Sequence, residues 1–113
     1  VLTTADASSG YAAIAADDPD WENRVAARVA LRLPAYRPGR RARTVRCPIL
    51  FCVCEHDLLA PARPTLRHAA QAPAGTVQRY PIGHFDIYAP PWSGRAVDDQ
   101  TRFLSRHLLG EPR

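Results

Sequence analysis

The 113-residue sequence contains no methionine and no lysine, and nowhere does it run apolar for long. A membrane-spanning helix needs about 20 apolar residues in succession, so no span is expected. The first residues lack a basic stretch followed by an apolar core, and they do not read as a secretory leader. Cysteine is scarce and odd in number, three in all. That count argues against the disulfide framework of a small secreted domain and for reduced, buried thiols in a cytoplasmic protein. With lysine absent, all 15 basic residues are arginine, against 11 acidic ones, for a net charge of +4. Such uniformity reads as a compositional preference for arginine, not as the footprint of a nucleic-acid binder. The one cluster, "RPGRRARTVR" at Arg37–Arg46, carries groups shaped for phosphate. It has no interleaved aromatics and belongs to no recognised nucleic-acid module. It is expected to be a solvated connection, with neither nucleic acid nor membrane as a partner. No segment repeats. The chain opens on Val1, which points to a start elsewhere.

What is present fits one domain at most. A hydrophobic content of 46% argues against wholesale disorder. Residues 1–17 are small and weakly apolar, with one short helical turn expected around Gly10–Ala16. A helix is expected over Asp18–Leu33. Asp18 suits the N-cap, Pro19 the first helical position, and Asp20 and Glu22 the positive end of the helix dipole. Trp21, Val25, Val29 and Leu33 recur at every fourth position and form one apolar stripe; Pro34 and Pro38 end the helix. Pro48–Cys54 is apolar on both faces, the pattern of a strand covered on both sides in a parallel sheet. Pro61–Gln71 reads as a helix with Leu66, Ala69 and Ala70 available for packing, and Thr76–Tyr80 as a second strand. Ala89–Gly94 reads as loop. Arg95–Leu109 is expected to be an amphipathic helix presenting Ala96, Val97, Phe103, Leu104 and Leu108, stopped by Gly110 and Pro112.

Strand, helix and strand in short order make a βαβ unit, whose strands are parallel and whose crossover is right-handed. Parallel neighbours lie about 4.8 Å apart, so the loops leaving their C-terminal ends open on the same edge of the sheet. The segment "CPILFCVCEHD" (Cys47–Asp57) ends in an acid, a histidine and an acid; "RYPIGHFDIY" (Arg79–Tyr88) turns through a glycine to His84 and Asp86. Asp57 thus leaves the first strand and His84 the second, and adjacency would deliver carboxylate and imidazole to one place. A carboxylate beside an imidazole fixes its tautomer and stabilises the imidazolium, leaving the other ring nitrogen to take a proton from a nucleophile. Asp57 and His84 are therefore the candidate catalytic residues. Asp86 is a rival acid, but two residues from His84 it suits a local loop hydrogen bond. Glu55 suits solvent or loop amides, His56 an exposed loop position, and His68 and His107 surface or capping roles on helices. Asp98 and Asp99 fall in the first turns of the last helix, where acids complement the dipole. Cys47, Cys52, Cys54 and His56 lack the spacing of a zinc site. Cys52 and Cys54, about 7 Å apart by strand rise, read as small buried hydrophobes. No metal and no organic cofactor is expected.

The segment from Cys47 to Leu109 resembles the C-terminal part of an α/β-hydrolase. "CPILFCVCEHDLLAP" is similar to that family's penultimate core strand and acid loop, "YPIGHFDIY" to its histidine loop, and "AVDDQTRFLSRHL" to its closing helix. The resemblance implies an α/β fold: residues 47–113 would be the C-terminal βαβα part of the core, and residues 1–46 a cap- or lid-like helical segment with the Arg-rich connection. The family's chain order of nucleophile, acid and histidine then makes Asp57 the triad acid and His84 the general base. Trp21 and Tyr11 are candidates to line an acyl or aryl pocket or to pack the cap. The nucleophile elbow G-x-S-x-G is not in the sequence: Ser9 precedes Gly10 and Ser93 precedes Gly94, but neither serine has a glycine two residues earlier. The oxyanion-hole donors and earlier strands that accompany the elbow are missing with it. The expectation is the C-terminal part of a hydrolase acting on a small-molecule ester, amide or related bond. Its nucleophile and its partner would then be the upstream part of the same protein, and the isolated chain would be inactive. The opposing expectation is a non-catalytic interaction module or relic that pairs, with another chain or a second copy, through an exposed sheet edge.

Overall fold

The computed structural model describes residues 7–15, 24 and 26–110. The N-cap, first-turn and stripe positions Asp18, Pro19, Trp21 and Val25 lie outside the described residues. The apolar run Ile49–Cys54 forms β1 and Gly75–Tyr80 forms β2. The two pair in parallel, from Ile49 against Gly75 to Cys54 against Tyr80. Helix α3, Ala62–Ala69, connects them. Ahead of this βαβ unit come α1 (Ala7–Ala15), α2 (Arg28–Arg32), a 3-10 turn at Leu33–Ala35 and a 3-10 helix at Pro38–Thr44. After it come a 3-10 turn at Asp86–Tyr88 and α4, Trp92–Leu104, which runs on as a π-helical turn over Ser105–Leu109.

Side chains alternate across a strand, so Cys52 and Cys54 share one face of the sheet with their register partners Gln78 and Tyr80. Helix α4 lies on that face. Cys54, Tyr80, Ile82 and Ala96 form its buried cluster, with Cys52, Ile87 and Trp92 packed against them. The opposite face meets α3 across a groove lined by Leu66, Ala69, Gly75 and Val77. Tyr80 is the largest fully buried side chain, with 0% of its surface exposed.

Coverage of β1 is thinner than its apolar sequence predicts. Val53 and Cys54 are buried, but Ile49 to Cys52 are only half-buried. An eight-residue helix is about 12 Å long, whereas a six-residue strand runs about 20 Å, so α3 cannot shield the whole strand. The sheet has two strands, and among the described residues their outer edges are unpaired. The same narrowness limits α4, which begins at Trp92 where a loop was expected. It buries Ala96 and half-buries Phe103, while Val97, Leu104 and Leu108 stay 58%, 51% and 75% exposed.

The Arg-rich connection is a 3-10 helix, and its period explains its surface. With three residues per turn, side chains at i and i+3 eclipse. Gly39, Ala42 and Val45 form an inner row that is half-buried, buried and half-buried, while Arg37, Arg40, Arg43 and Arg46 form an exposed outer row. Gly39 lies against the His68 ring on α3, where an added Cβ would overlap the imidazole. His68, expected at the surface, is therefore half-buried, and its Nδ1 is buried with no partner among the described residues. Of the helix expected over Asp18–Leu33, the described part is helical only at Arg28–Arg32. Pro34 is the second residue of the following 3-10 turn, where its fixed φ and missing N–H are tolerated, and Val29 and Leu33 are exposed.

Two glycine substitutions test this packing in opposite directions. Gly39→Ala is expected to lower stability by about 1–3 kcal/mol through overpacking against His68. Gly94→Ala, in α4 with nothing within 4 Å of the added Cβ, is expected to raise it by about 0.5–1 kcal/mol. Denaturant unfolding measures both; the reverse order would contradict the placement of the 3-10 helix on α3.

Candidate functional site

Strand pairing does not stop where the strands end. The Glu55 N–H donates to the Tyr80 carbonyl at 2.8 Å, and the His56 N–H donates to the Ile82 carbonyl at 3.0 Å. The two exit loops are thus fastened together before they diverge. One residue later Asp57 folds into a tight turn: its Oδ1 accepts the N–H groups of Leu59 at 2.8 Å and Ala60 at 2.7 Å. This local bonding of an aspartate to the amides two and three residues on is a common turn-former. With Oδ1 occupied by the turn, Oδ2 is left for His84, whose Nδ1 lies 2.8 Å away.

The histidine loop is closed in the same way. Asp86 Oδ2 accepts the Gly83 N–H at 2.8 Å, so the rival acid takes the local role its spacing suggested. The His84 ring stands edge-on to Phe85, with centroids 4.9 Å apart. Phe85 in turn meets Tyr11 edge-on at 6.1 Å. It also meets Gly10, where an added Cβ would overlap the Phe85 ring. Helix α1 therefore buttresses the histidine loop. Tyr11, a candidate either to line a pocket or to pack, packs on Phe85; Trp21 lies outside the described residues.

The Asp57 side chain is 8% exposed and that of His84 31%. Burial pushes the Asp57 carboxyl up, but the Ala60 amide, the His84 hydrogen bond and charge, and the Leu59 amide together outweigh it and hold the group below the usual carboxylate range. An ionised Asp57 accepts from Nδ1–H and so directs the neutral ring to the tautomer with Nε2 unprotonated. The nearby Cys54 thiol is pushed up by burial first and then by the Asp57 charge, which keeps it protonated and inert.

A cleft of about 620 Å³ opens over this pair, within the range of small-molecule sites. Cys52, Val53 and Cys54 form its floor, Ile87, Ala96 and Val97 line it further, and Thr65, Ser93 and Gln100 add polar groups. Glu55, His56 and His107 lie elsewhere. Glu55 pairs with Arg79 at 3.3 Å on the surface, an arrangement worth little. His56 is exposed, and His107 packs against the Phe103 ring. Cys54 is buried, Cys52 half-buried and Cys47 exposed. Among the described residues no three of His, Cys, Asp and Glu converge so as to hold a metal ion, and no helix is long and apolar enough to cross a membrane.

Asp99, like His68, was misread. Asp99 does not merely complement the helix dipole; its Oδ2 accepts the Tyr80 hydroxyl at 2.9 Å and its Oδ1 accepts from Arg102 at 2.9 Å. The signal was in the spacing, since Trp92, Ala96, Asp99 and Phe103 recur at helical intervals on one stripe. An acid on the packed face requires a partner.

Over 106 residues, 94% of the chain, the sequence is 42% identical to the quorum-quenching protein AidA of Acinetobacter baumannii (strain MDR-ZJ06). The matched stretch is 35% of that relative, so the chain spans about a third of its length. No family model matches the chain. No solved structure matches it.

The depressed Asp57 value makes stability depend on pH with a definite sign. The contribution is present above the unfolded carboxyl value of about 3.9 and is lost as pH falls through the lower folded value. Melting of the wild-type chain and of Asp57→Asn, followed from pH 7 downward, should show a wild-type advantage that shrinks below about pH 4. A deficit in the variant that stays constant into strong acid would contradict the assignment.

Proposed function

We propose that this chain supplies the acid and the base of a hydrolytic triad in an α/β-hydrolase-type core, and that the nucleophile lies in sequence preceding Val1. The observation that carries the reading is the 2.8 Å contact between His84 Nδ1 and Asp57 Oδ2 at the rim of a cleft. Among the described residues Nε2 has no hydrogen-bond partner, as a general base requires. In the first step Nε2 takes the proton of the nucleophile as that group bonds to the substrate carbonyl carbon, and Asp57 stabilises the resulting imidazolium. The imidazolium then returns the proton to the leaving oxygen or nitrogen as its bond to carbon breaks. Water repeats the cycle on the acyl intermediate.

Among the described residues the outer edges of the sheet are unpaired and Val97 and Leu104 are exposed, which supports the same reading. Preceding sequence would supply further strands and the elbow, in keeping with the extra length of the relative. The relative's name extends the proposal to substrate class: a small bacterial signalling molecule carrying an ester, amide or related bond. Cap and nucleophile, rather than the acid and base, decide which bond is cut.

The test uses the full-length polypeptide containing residues 1–113 and an activated p-nitrophenyl ester. Asp57→Asn should lower kcat by roughly 10⁴-fold and His84→Ala by roughly 10⁶-fold, with the far-UV circular dichroism unchanged. Undiminished turnover in His84→Ala would remove His84 from the chemistry.

A further inference from the structure

We infer that Tyr80 and Asp99 form a positioning lock that holds the exit of β2, and with it His84, in register with Asp57. Tyr80 is the last residue of β2 and is anchored twice. Its carbonyl accepts both the Glu55 N–H at 2.8 Å and the Ile82 N–H at 2.9 Å. Its fully buried side chain reaches the other way, and the hydroxyl donates to Asp99 Oδ2 on α4 at 2.9 Å. Backbone and phenol are thereby tied to two different elements, the acid loop and the closing helix. The ring between them is rigid, so the carbonyl cannot move far without breaking one of those bonds.

The next residues carry that constraint to the imidazole. Ile82 is 5% exposed and accepts the His56 N–H, and the Gly83 N–H is held by Asp86. A displacement at Tyr80 therefore passes to His84 with little slack. Packing alone does not ask for this arrangement. A phenylalanine would fill the same space with no polar group to satisfy, and an acid on the packed stripe of α4 carries a desolvation cost. Arg102, at 2.9 Å from Asp99 Oδ1, steadies the carboxylate. The hydroxyl also lies 4.0 Å from Cys52 Sγ, a weak acceptor. Burial first, and then the bond to Asp99, pushes the phenol well above its ordinary value, so it remains a donor throughout the biological pH range. The catalytic consequence rests on the hydrolytic reading above; the lock itself does not.

Amide hydrogen exchange and steady-state kinetics of the full-length polypeptide separate the two. In Tyr80→Phe and Asp99→Ala, exchange of the Glu55 and His56 amides should quicken by about tenfold, the equivalent of one hydrogen bond. The mid-strand amides of the β1–β2 ladder should stay within about twofold of wild type. Asp99→Asn, whose amide oxygen still accepts the phenol proton, should restore exchange close to wild type. With the p-nitrophenyl ester, kcat in Tyr80→Phe should fall by about tenfold with KM within about twofold, as expected of a misplaced base. Wild-type exchange at Glu55 and His56, or equal acceleration along the whole ladder, would overturn the lock. If His84→Ala abolishes turnover while Tyr80→Phe leaves kcat unchanged, the lock has no part in positioning the base and the hydrolytic reading stands. If His84→Ala turns over normally, that reading falls and the exchange data still decide the lock.

Discussion

The structure depends on one constraint: β1 and β2 run parallel, side by side, and their pairing continues past their ends. Parallel neighbours deliver their exit loops to a common edge, and the bonds from Glu55 to Tyr80 and from His56 to Ile82 fix how those loops leave it. Asp57 and His84 are 27 residues apart in sequence and 2.8 Å apart in space. The turn bonds at Leu59, Ala60 and Gly83 add direction. Each uses one carboxylate oxygen to hold a loop, and at Asp57 this leaves the second oxygen for the imidazole. Secondary structure brings the groups near one another, and side chain–backbone bonds then aim them.

Much of this was legible because strand adjacency follows from connection length. A strand, a short helix and a second strand leave little topological freedom, so the rim position of Asp57 and His84 could be reasoned from chain order. What could not be read was the depth of packing. The apolar alternation of Ile49–Cys54 says that both faces prefer cover, but not how much cover an eight-residue helix and a two-stranded sheet provide. Val97, Leu104 and Leu108 were assigned to the apolar face of the last helix and are exposed. The Arg-rich segment was read correctly as solvated, yet its 3-10 period, which turns Gly39, Ala42 and Val45 inward, is a tertiary outcome set by contact with α3. His68 was misplaced because nothing local marks a histidine that a glycine will press upon.

Asp99 is the instructive miss. Position alone favoured a dipole role, and the dipole argument applies to any acid near a helix start. Its place on the stripe with Trp92, Ala96 and Phe103 carried the stronger information, because a carboxylate turned toward a core must find a donor. Tyr80 is that donor, and the pair joins the closing helix to the strand that carries the histidine loop. The site is thus supported from both directions: α1 reaches Phe85 beside His84, and α4 reaches Tyr80 below it.

The most direct test of the account is the protonation pattern of the His84 ring, read from its nitrogen and proton resonances in selectively labelled protein. The account predicts a proton on Nδ1, shifted downfield by the Asp57 carboxylate, and loss of that shift in Asp57→Asn. A proton residing on Nε2, or a resonance indifferent to Asp57→Asn, would show that the two exit loops do not bring these groups together.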